Sequence, residues 1–214
     1  MSDIDEPAAS RPRLEARRRA MMEAATAVFL EKGYAAATLD DIIARSGGSR
    51  QTLYALFGGK QGLFEGLVAE RSANIFEPLP NDELDDRPPE EVLSALGIRY
   101  LEIVTTPEAL GTYRLVVTES AMRKEVAELF WRAGPGKLRT LLAGYLARQG
   151  ERGLLHLDDT ELAARHFIGM LLGTLQMECL LGLRETPEPA EVAAHVGSVV
   201  KQFMDGCRGM VLPG

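Results

Sequence analysis

Seven side chains between residues 38 and 60 have the types and spacing to meet a polyanion: Thr38, Ser49, Arg50, Gln51, Thr52, Tyr54 and Lys60. Arg50 and Gln51 are the informative pair. An arginine fork can make paired hydrogen bonds to guanine O6 and N7, and a glutamine can do the same to adenine. Thr38, Ser49 and Thr52 bring short hydroxyls, and Tyr54 brings a phenol long enough to reach a phosphate oxygen. Lys60 follows the glycine pair Gly58-Gly59 and sets a cation at a helix start, where free backbone N–H groups already favour an anion. Base-edge contacts specify sequence and phosphate contacts fix register, so this short segment holds candidates for both.

The elements that must position these groups can be read from the same stretch, TLDDIIARSGGSRQTLYALFGGKQGLF, residues 38–64. Thr38 and Asp41 stand in capping-box spacing at the start of one helix, and Asp40 and Asp41 in its first turn complement the helix dipole. Ile42 and Ile43 give that helix a core side, and Gly47-Gly48 ends it. Ser49 caps the next helix, whose Leu53, Leu56 and Phe57 turn inward, leaving Arg50, Gln51 and Thr52 outward at its N-terminus. A fourth helix starts at Lys60 and runs through Leu63, Phe64, Leu67 and Val68. Ahead of them, a helix from about Arg13 to Lys32 places Leu14, Met21, Met22, Ala25, Val28 and Phe29 on one face, with Gly33 as its C-cap. Arg13, Arg17, Arg18 and Arg19 crowd its start, and a basic first helix beside a nucleic acid is the favoured reading over a merely solvated face. Two short helices across a tight turn are what a helix-turn-helix requires, the first bracing a second that enters the major groove.

These residues resemble the DNA-binding domain of the TetR/AcrR family of one-component regulators. That pattern has an Arg-rich first helix ending in Phe, Gly and an aromatic, then a Thr-led helix, a Gly-Val-Ser turn, a Thr-Leu-Tyr recognition helix and a Phe followed by Lys-x-x-Leu. This chain carries Phe29, Gly33, Tyr34, Thr38, Ile42, Ala44, Ser46, Gly47, Ser49, Thr52, Leu53, Tyr54, Phe57, Lys60 and Leu63 in that register. The match spans about residues 13–70. Gly48 stands where the family has Val, which removes a core contact of about 1 kcal/mol. Ala55 and Leu56 occupy the place of a common His or Tyr, and Gly59 replaces a Ser/Asn cap. Residues 107–182 bear a weaker similarity to the helical regulatory domains of AcrR-like members. The resemblance implies a homodimer on a pseudo-palindromic operator, most often a repressor, paired through its last two helices (about residues 158–211) and released by a small, often apolar effector.

The whole chain fits that frame. It carries a formal charge of −7, but residues 11–71 hold 10 Lys/Arg against 7 Asp/Glu, a net of +3, while residues 72–214 have a net of −7. A basic N-terminal module and an acidic remainder follow. Strand signals are nearly absent, so the expected fold is all-α: an N-terminal three-helix helix-turn-helix domain and a C-terminal helical bundle for ligand binding and dimerisation. The expected organisation is a disordered tail at 1–12, the DNA-binding domain at 13–60, a connecting helix at 61–76, an acidic Pro-rich linker at 77–89, and a ligand-binding and dimerisation domain at 90–214. Its helices are expected near 89–105, 107–122, 123–150 (disturbed around Gly134-Pro135-Gly136), 158–183 and 188–211.

Within that domain Tyr100, Arg114, Trp131, His166, Met170, Gln176 and Met177 are the residue types that line a mixed apolar pocket, and they are the effector-contact candidates. His166 is expected in the core, and Glu119 and Glu178 are candidate partners for Arg114 or a cationic effector.

Several classes are set aside. Cys179 and Cys207 lie 28 residues apart, without CxxC spacing and away from His156, His166 and His195, so neither a metal site nor a disulfide framework is expected. No nucleophile–base–acid set or phosphate loop appears, so no catalytic residue, cofactor or enzyme activity is assigned. The apolar run 167–183 is shorter than the roughly 20 residues of a membrane span and holds Gln176 and Glu178. With no export signal in its acidic first ten residues, a cytoplasmic location is expected. The competing reading is an all-helical ligand-binding or adaptor protein that has lost specific operator binding.

Overall fold

The computed structural model describes residues 10–76 and 87–207, with the backbone alone for 10–12 and 71–76. Most of the expected tail (1–12) and linker (77–89) therefore lie outside the described residues. The described residues form ten helices and no strand: α1 (Ser10–Ala36), α2 (Leu39–Ser46), α3 (Arg50–Phe57), α4 (Lys60–Phe76), α5 (Pro89–Val104), α6 (Pro107–Ser120), α7 (Lys124–Ala133), α8 (Pro135–Glu151), α9 (Thr160–Leu181) and α10 (Pro189–Cys207). The all-α architecture expected from the periodicity is what forms. The chain divides into two compact units.

The first unit holds the residues up to Val68 together with Leu115–Leu129. Its core follows from the spacing in α1, where Met21, Ala25, Val28 and Phe29 are all but fully buried. Phe29, Tyr34 and Phe64 form an aromatic triangle with ring centroids 5.3–5.9 Å apart, tying α1 and its final turn to α4. Such tilted and edge-on pairs add about 0.5–1.5 kcal/mol each beyond their buried area. Regular helix in α1 stops at Gly33 (φ 77°, ψ 161°), where the sequence places its cap, and one more turn carries the chain to Ala36. Ile42 and Leu53, one from α2 and one from α3, have no exposed surface and lock the two short helices to that core.

The second unit holds Ala69–Arg114 and the residues from Phe130 on. Here α8 packs on α9, α10 on α5, and α9 on both α5 and α10. Leu93, Leu96, Leu142, Leu146, Phe167, Leu171, Val196 and Phe203 make the centre of that core, with the Phe167 and Phe203 rings 5.1 Å apart. The single helix expected over residues 123–150 is two: the disturbance at Gly134-Pro135-Gly136 divides α7 from α8, because Pro135 takes the first position of α8, where its missing N–H is not needed. Helix α9 is interrupted at Gly173 (φ 42°, ψ −138°), and His195 of α10 places its Nε2 2.9 Å from the Leu171 carbonyl beside that break. No helix among the described residues is long and apolar enough to cross a membrane.

Candidate nucleic-acid interface

Helix α2 begins with the capping box that its sequence spells. Thr38 Oγ1 accepts from the Asp41 N–H at 3.1 Å, and Asp41 Oδ2 accepts from the Thr38 N–H at 3.1 Å and from its hydroxyl at 2.8 Å. Lys32 of α1 donates to the other carboxylate oxygen at 2.7 Å. That ammonium first, and the Thr38 bonds next, pull the Asp41 carboxyl down to about 2. Thr38 is thereby engaged in positioning α2.

The turn to α3 takes two left-handed steps, Gly47 (φ 68°) and Gly48 (φ 106°). The expectation that Gly48 leaves a core contact missing needs correction. A Cβ there would sit 2.7 Å from Arg17 Nη1 and 3.0 Å from Met21 Cε, so the space is already filled from α1, and a side chain would be strained at that φ. Ser49 then caps α3, its Oγ accepting from the Thr52 N–H at 3.1 Å and lying 2.9 Å from Thr52 Oγ1. Ser49 and Thr52 thus hold the start of α3, as Thr38 holds the start of α2.

With Leu53 buried beneath, α3 presents Arg50, Gln51, Tyr54 and Ala55 outward. Tyr54 is half exposed. Arg50 is already partnered: its Nη2 donates to both carboxylate oxygens of Asp40 at 2.7 Å, across the turn. Sequence reading assigned Asp40 only to the helix dipole. Ten residues separate it from Arg50, and the spacing carries no signal for the pair.

Lys60 differs most from its expected place. Its ammonium donates to the carbonyls of Tyr34 at 2.8 Å, Ala35 at 3.2 Å and Ala37 at 3.0 Å, and lies 4.7 Å from the centre of the Tyr34 ring. Three N–H donors meet three carbonyl acceptors, so the group expected on a phosphate closes the connection between α1 and α2 in the protein alone. Burial lowers its affinity for a proton, Arg123 adds to that by repulsion, and Glu119 opposes it. The same connection is held from the other side by Glu119, whose Oε1 accepts from the Ala35 N–H at 3.0 Å. Gly62 makes a further demand that the sequence did not announce: a Cβ there would lie 1.8 Å from the Phe57 carbonyl oxygen, so only glycine lets α4 approach the end of α3. The basic start of α1 also divides, because Arg18 stacks its guanidinium 5.7 Å from the Phe57 ring centre while Arg13, Arg17 and Arg19 stay exposed.

Comparison with known proteins supplies the frame for this geometry. Residues 21–67 match the bacterial regulatory proteins of the tetR family, and residues 91–206, more than half of the chain, match the C-terminal domain of AefR-like transcriptional repressors. The chain belongs to the TetR family of transcriptional regulators. Among curated proteins, the uncharacterized HTH-type transcriptional regulator YvkB of Bacillus subtilis (strain 168) is 27% identical over 174 residues, covering 80% of this chain and 87% of that protein. Among solved structures, the flavonoid-responsive regulator FrrA is 28% identical with a TM-score of 0.72, covering 91% of this chain and 98% of that one. A TetR-family regulator from Mesorhizobium loti MAFF303099 shares the fold at 24% identity and a TM-score of 0.73, over 94% and 98% of the two chains. In this family the helix-turn-helix is the DNA-binding element, and here it is α2, the glycine turn and α3.

The effector-contact candidates of the TetR-family C-terminal unit are scattered. Tyr100 is buried in the core and Met170 packs against it. Arg114 donates to the Cys179 and Leu180 carbonyls, both at 2.9 Å, which satisfies the C-terminal end of α9. Trp131 is half exposed, with the Arg139 guanidinium 5.5 Å from its ring centre. Gln176 is half-buried, whereas His166 and Met177 face outward on α9, so His166 is not the core histidine expected. Glu178 pairs with Arg184, which also reaches Glu191, and Glu119 accepts from the Ala35 N–H. Tyr145 and Gln149, one turn apart on α8, are fully buried, which the sequence did not announce because an isolated polar residue on an amphipathic helix reads as surface.

Proposed function

We propose that this regulator is a ligand-responsive repressor that binds a pseudo-palindromic operator as a homodimer and is released by a small, largely apolar molecule. The observation that carries the DNA-reading half is the outward face of α3: Arg50, Gln51 and Tyr54 stand free of the core while Thr38, Ser49 and Thr52 fix the helices that present them. Arg50 and Gln51 read base edges and Tyr54 holds the backbone.

Pairing is supported by one side of the last two helices. On α9, Leu162, Gly169, Gly173 and Met177 recur at helical spacing on the exposed side, and Ala190, Ala194, Gly197 and Lys201 do the same on α10. Small residues at such spacing let helices of a second copy approach closely, and exposed Met and Leu gain from being covered. For the effector, Tyr145, Gln149 and Tyr100 within an otherwise apolar core supply the few polar handles that a small-molecule site uses. The similarity to a flavonoid-responsive regulator favours a planar, weakly polar ligand. Release requires that the ligand bind the DNA-incompetent conformation more tightly than the competent one.

Selection of bound duplexes from a random pool tests the first half: an inverted repeat with half-sites about one helical turn apart is expected, and a pool without enrichment would refute operator binding. Light scattering or sedimentation is expected to give twice the monomer mass of 23.4 kDa. A compound screen on the selected duplex then checks release.

A further inference from the structure

The ion pair between Arg50 and Asp40 sits in the middle of the outward face of the helix-turn-helix, with the two side chains 58% and 72% exposed. A pair so open to water contributes little to folding. Asp40 takes no part in capping α2 either, since the cap bonds all go to its neighbour Asp41. What the pair does control is the geometry of the guanidinium. Both Asp40 oxygens lie on one nitrogen, Nη2, which belongs to both two-toothed edges of an arginine, Nη1/Nη2 and Nε/Nη2. While Asp40 holds Nη2, Arg50 has no intact fork to offer a base.

We propose that Asp40 is a specificity-determining residue that competes with DNA for Arg50, so that guanine is the base able to draw the guanidinium away. This rests on the reading of α3 as the base-reading helix. Guanine offers O6 and N7 side by side in the major groove, two acceptors that together replace the carboxylate. Adenine offers N7 beside a donor, thymine a single O4, and cytosine a donor, so none of them compensates for leaving Asp40. The carboxylate also opposes the drift of Arg50 onto phosphate, because its own negative charge is repelled there. Leaving Asp40 costs the same whatever Arg50 moves to, so the carboxylate lowers every such contact by one amount, and the paired contact to guanine is the one large enough to exceed it.

The experiment compares four full-length proteins by selection from a random duplex pool, then by titration of the selected duplex, its single-base variants and a non-specific duplex at several salt concentrations. They are wild type, Asp40→Asn, Arg50→Ala, and the double variant. Arg50→Ala identifies the guanine that Arg50 reads. Asp40→Asn is expected to tighten binding to the guanine-bearing duplex by about 2–5-fold, the scale of an exposed ion pair, without lowering the guanine preference at that position. It should also tighten non-specific binding and steepen its salt dependence by about one unit of slope as Arg50 gains a phosphate. In the Arg50→Ala background, Asp40→Asn should change neither.

Unchanged affinity of Asp40→Asn for the guanine-bearing duplex overturns the proposal. So does the same change with and without Arg50, which would make it a simple loss of negative charge, and so does a wild-type motif that Arg50→Ala leaves intact. A wild type that enriches no motif refutes the reading of α3 itself, a result distinct from these three. Equal thermal midpoints of wild type and Asp40→Asn separate the effect from any loss of fold, and Asp40→Ala repeats the test without the amide.

Discussion

Replacing Lys60 by Met distinguishes a lysine that holds the fold from one that holds DNA. Methionine keeps an unbranched apolar stem and removes the ammonium, so three carbonyls lose their donor at once. Ala35 is exposed, and water can take up its carbonyl. Tyr34 and Ala37 are only 7% and 2% exposed, and their carbonyls are left poorly served. Each buried acceptor without a partner costs about 1–3 kcal/mol, and the loss of the cation over the Tyr34 ring adds about 0.5–1 kcal/mol. The expected destabilisation is therefore about 2–4 kcal/mol, after allowing for partial rehydration around a lysine that is itself not fully buried. For a unit of 60–100 residues, that lowers the thermal midpoint by at least about 10 °C. Circular dichroism melts of wild type and Lys60→Met measure it, and duplex titrations well below either midpoint measure the salt dependence. The slope should be unchanged in the variant. A midpoint equal to wild type, with a salt slope shallower by about 0.9, would show that Lys60 neutralises a phosphate and that the carbonyl cage is incidental.

Asp41 supplies a pH test. Its carboxyl is held at about 2 in the folded chain against an ordinary 3.8, so the ionised form favours the native state. That contribution is complete above about pH 4 and is lost as pH falls toward 2, where both states are protonated. Asp41→Asn should be less stable than wild type at neutral pH, and the difference should shrink through that acid window; a difference constant with pH would remove the carboxylate from the account. Gly48→Val, which restores the residue common in the family, should destabilise by about 1–3 kcal/mol because of the left-handed backbone and the contact with Arg17 and Met21. A Gly48→Val protein melting higher than wild type would show that the turn relaxes to accept a side chain. Cys179 and Cys207 are both buried, and burial raises both thiols above their ordinary range. Both should resist iodoacetamide at pH 8 and react only as fast as the chain opens, so rapid labelling of the native protein at either position would contradict their burial.

What could be read without coordinates was local. Thr38-x-x-Asp41 forecasts a cap because both partners lie within one turn, and the cap forms. Gly134-Pro135-Gly136 marks a disturbance for the same reason, although it is expected within one helix of residues 123–150 and instead separates two. Interactions between distant residues left no such mark: Glu119 reaches the Ala35 N–H across 84 positions, and Arg114 reaches the end of α9 across 65. Each is one charged residue on an amphipathic helix, indistinguishable in sequence from a solvated one. The α9 segment fails for the opposite reason. It is apolar on nearly every side, so periodicity could not tell Phe167, Leu171 and Leu175, which are buried, from Met177 and Leu181, which are not.

Lys60 and Arg50 show why residue type alone does not tell apart two cations inside a correctly recognised motif. Both are cations in a segment that binds a polyanion, and a charge count treats them alike. The difference lies in what surrounds each before any DNA arrives. Lys60 faces carbonyls, neutral dipoles fixed by the end of α1, and leaving them exposes acceptors that nothing replaces. Arg50 faces a carboxylate on an exposed surface, a partner that water can solvate when it is abandoned. Exchange onto DNA is therefore unfavourable for the first and nearly balanced for the second, and a nearly balanced exchange is the one that a difference between bases can decide. The same comparison predicts that stabilising the Asp40 pair further, rather than removing it, would weaken binding to every sequence while preserving the order of preference.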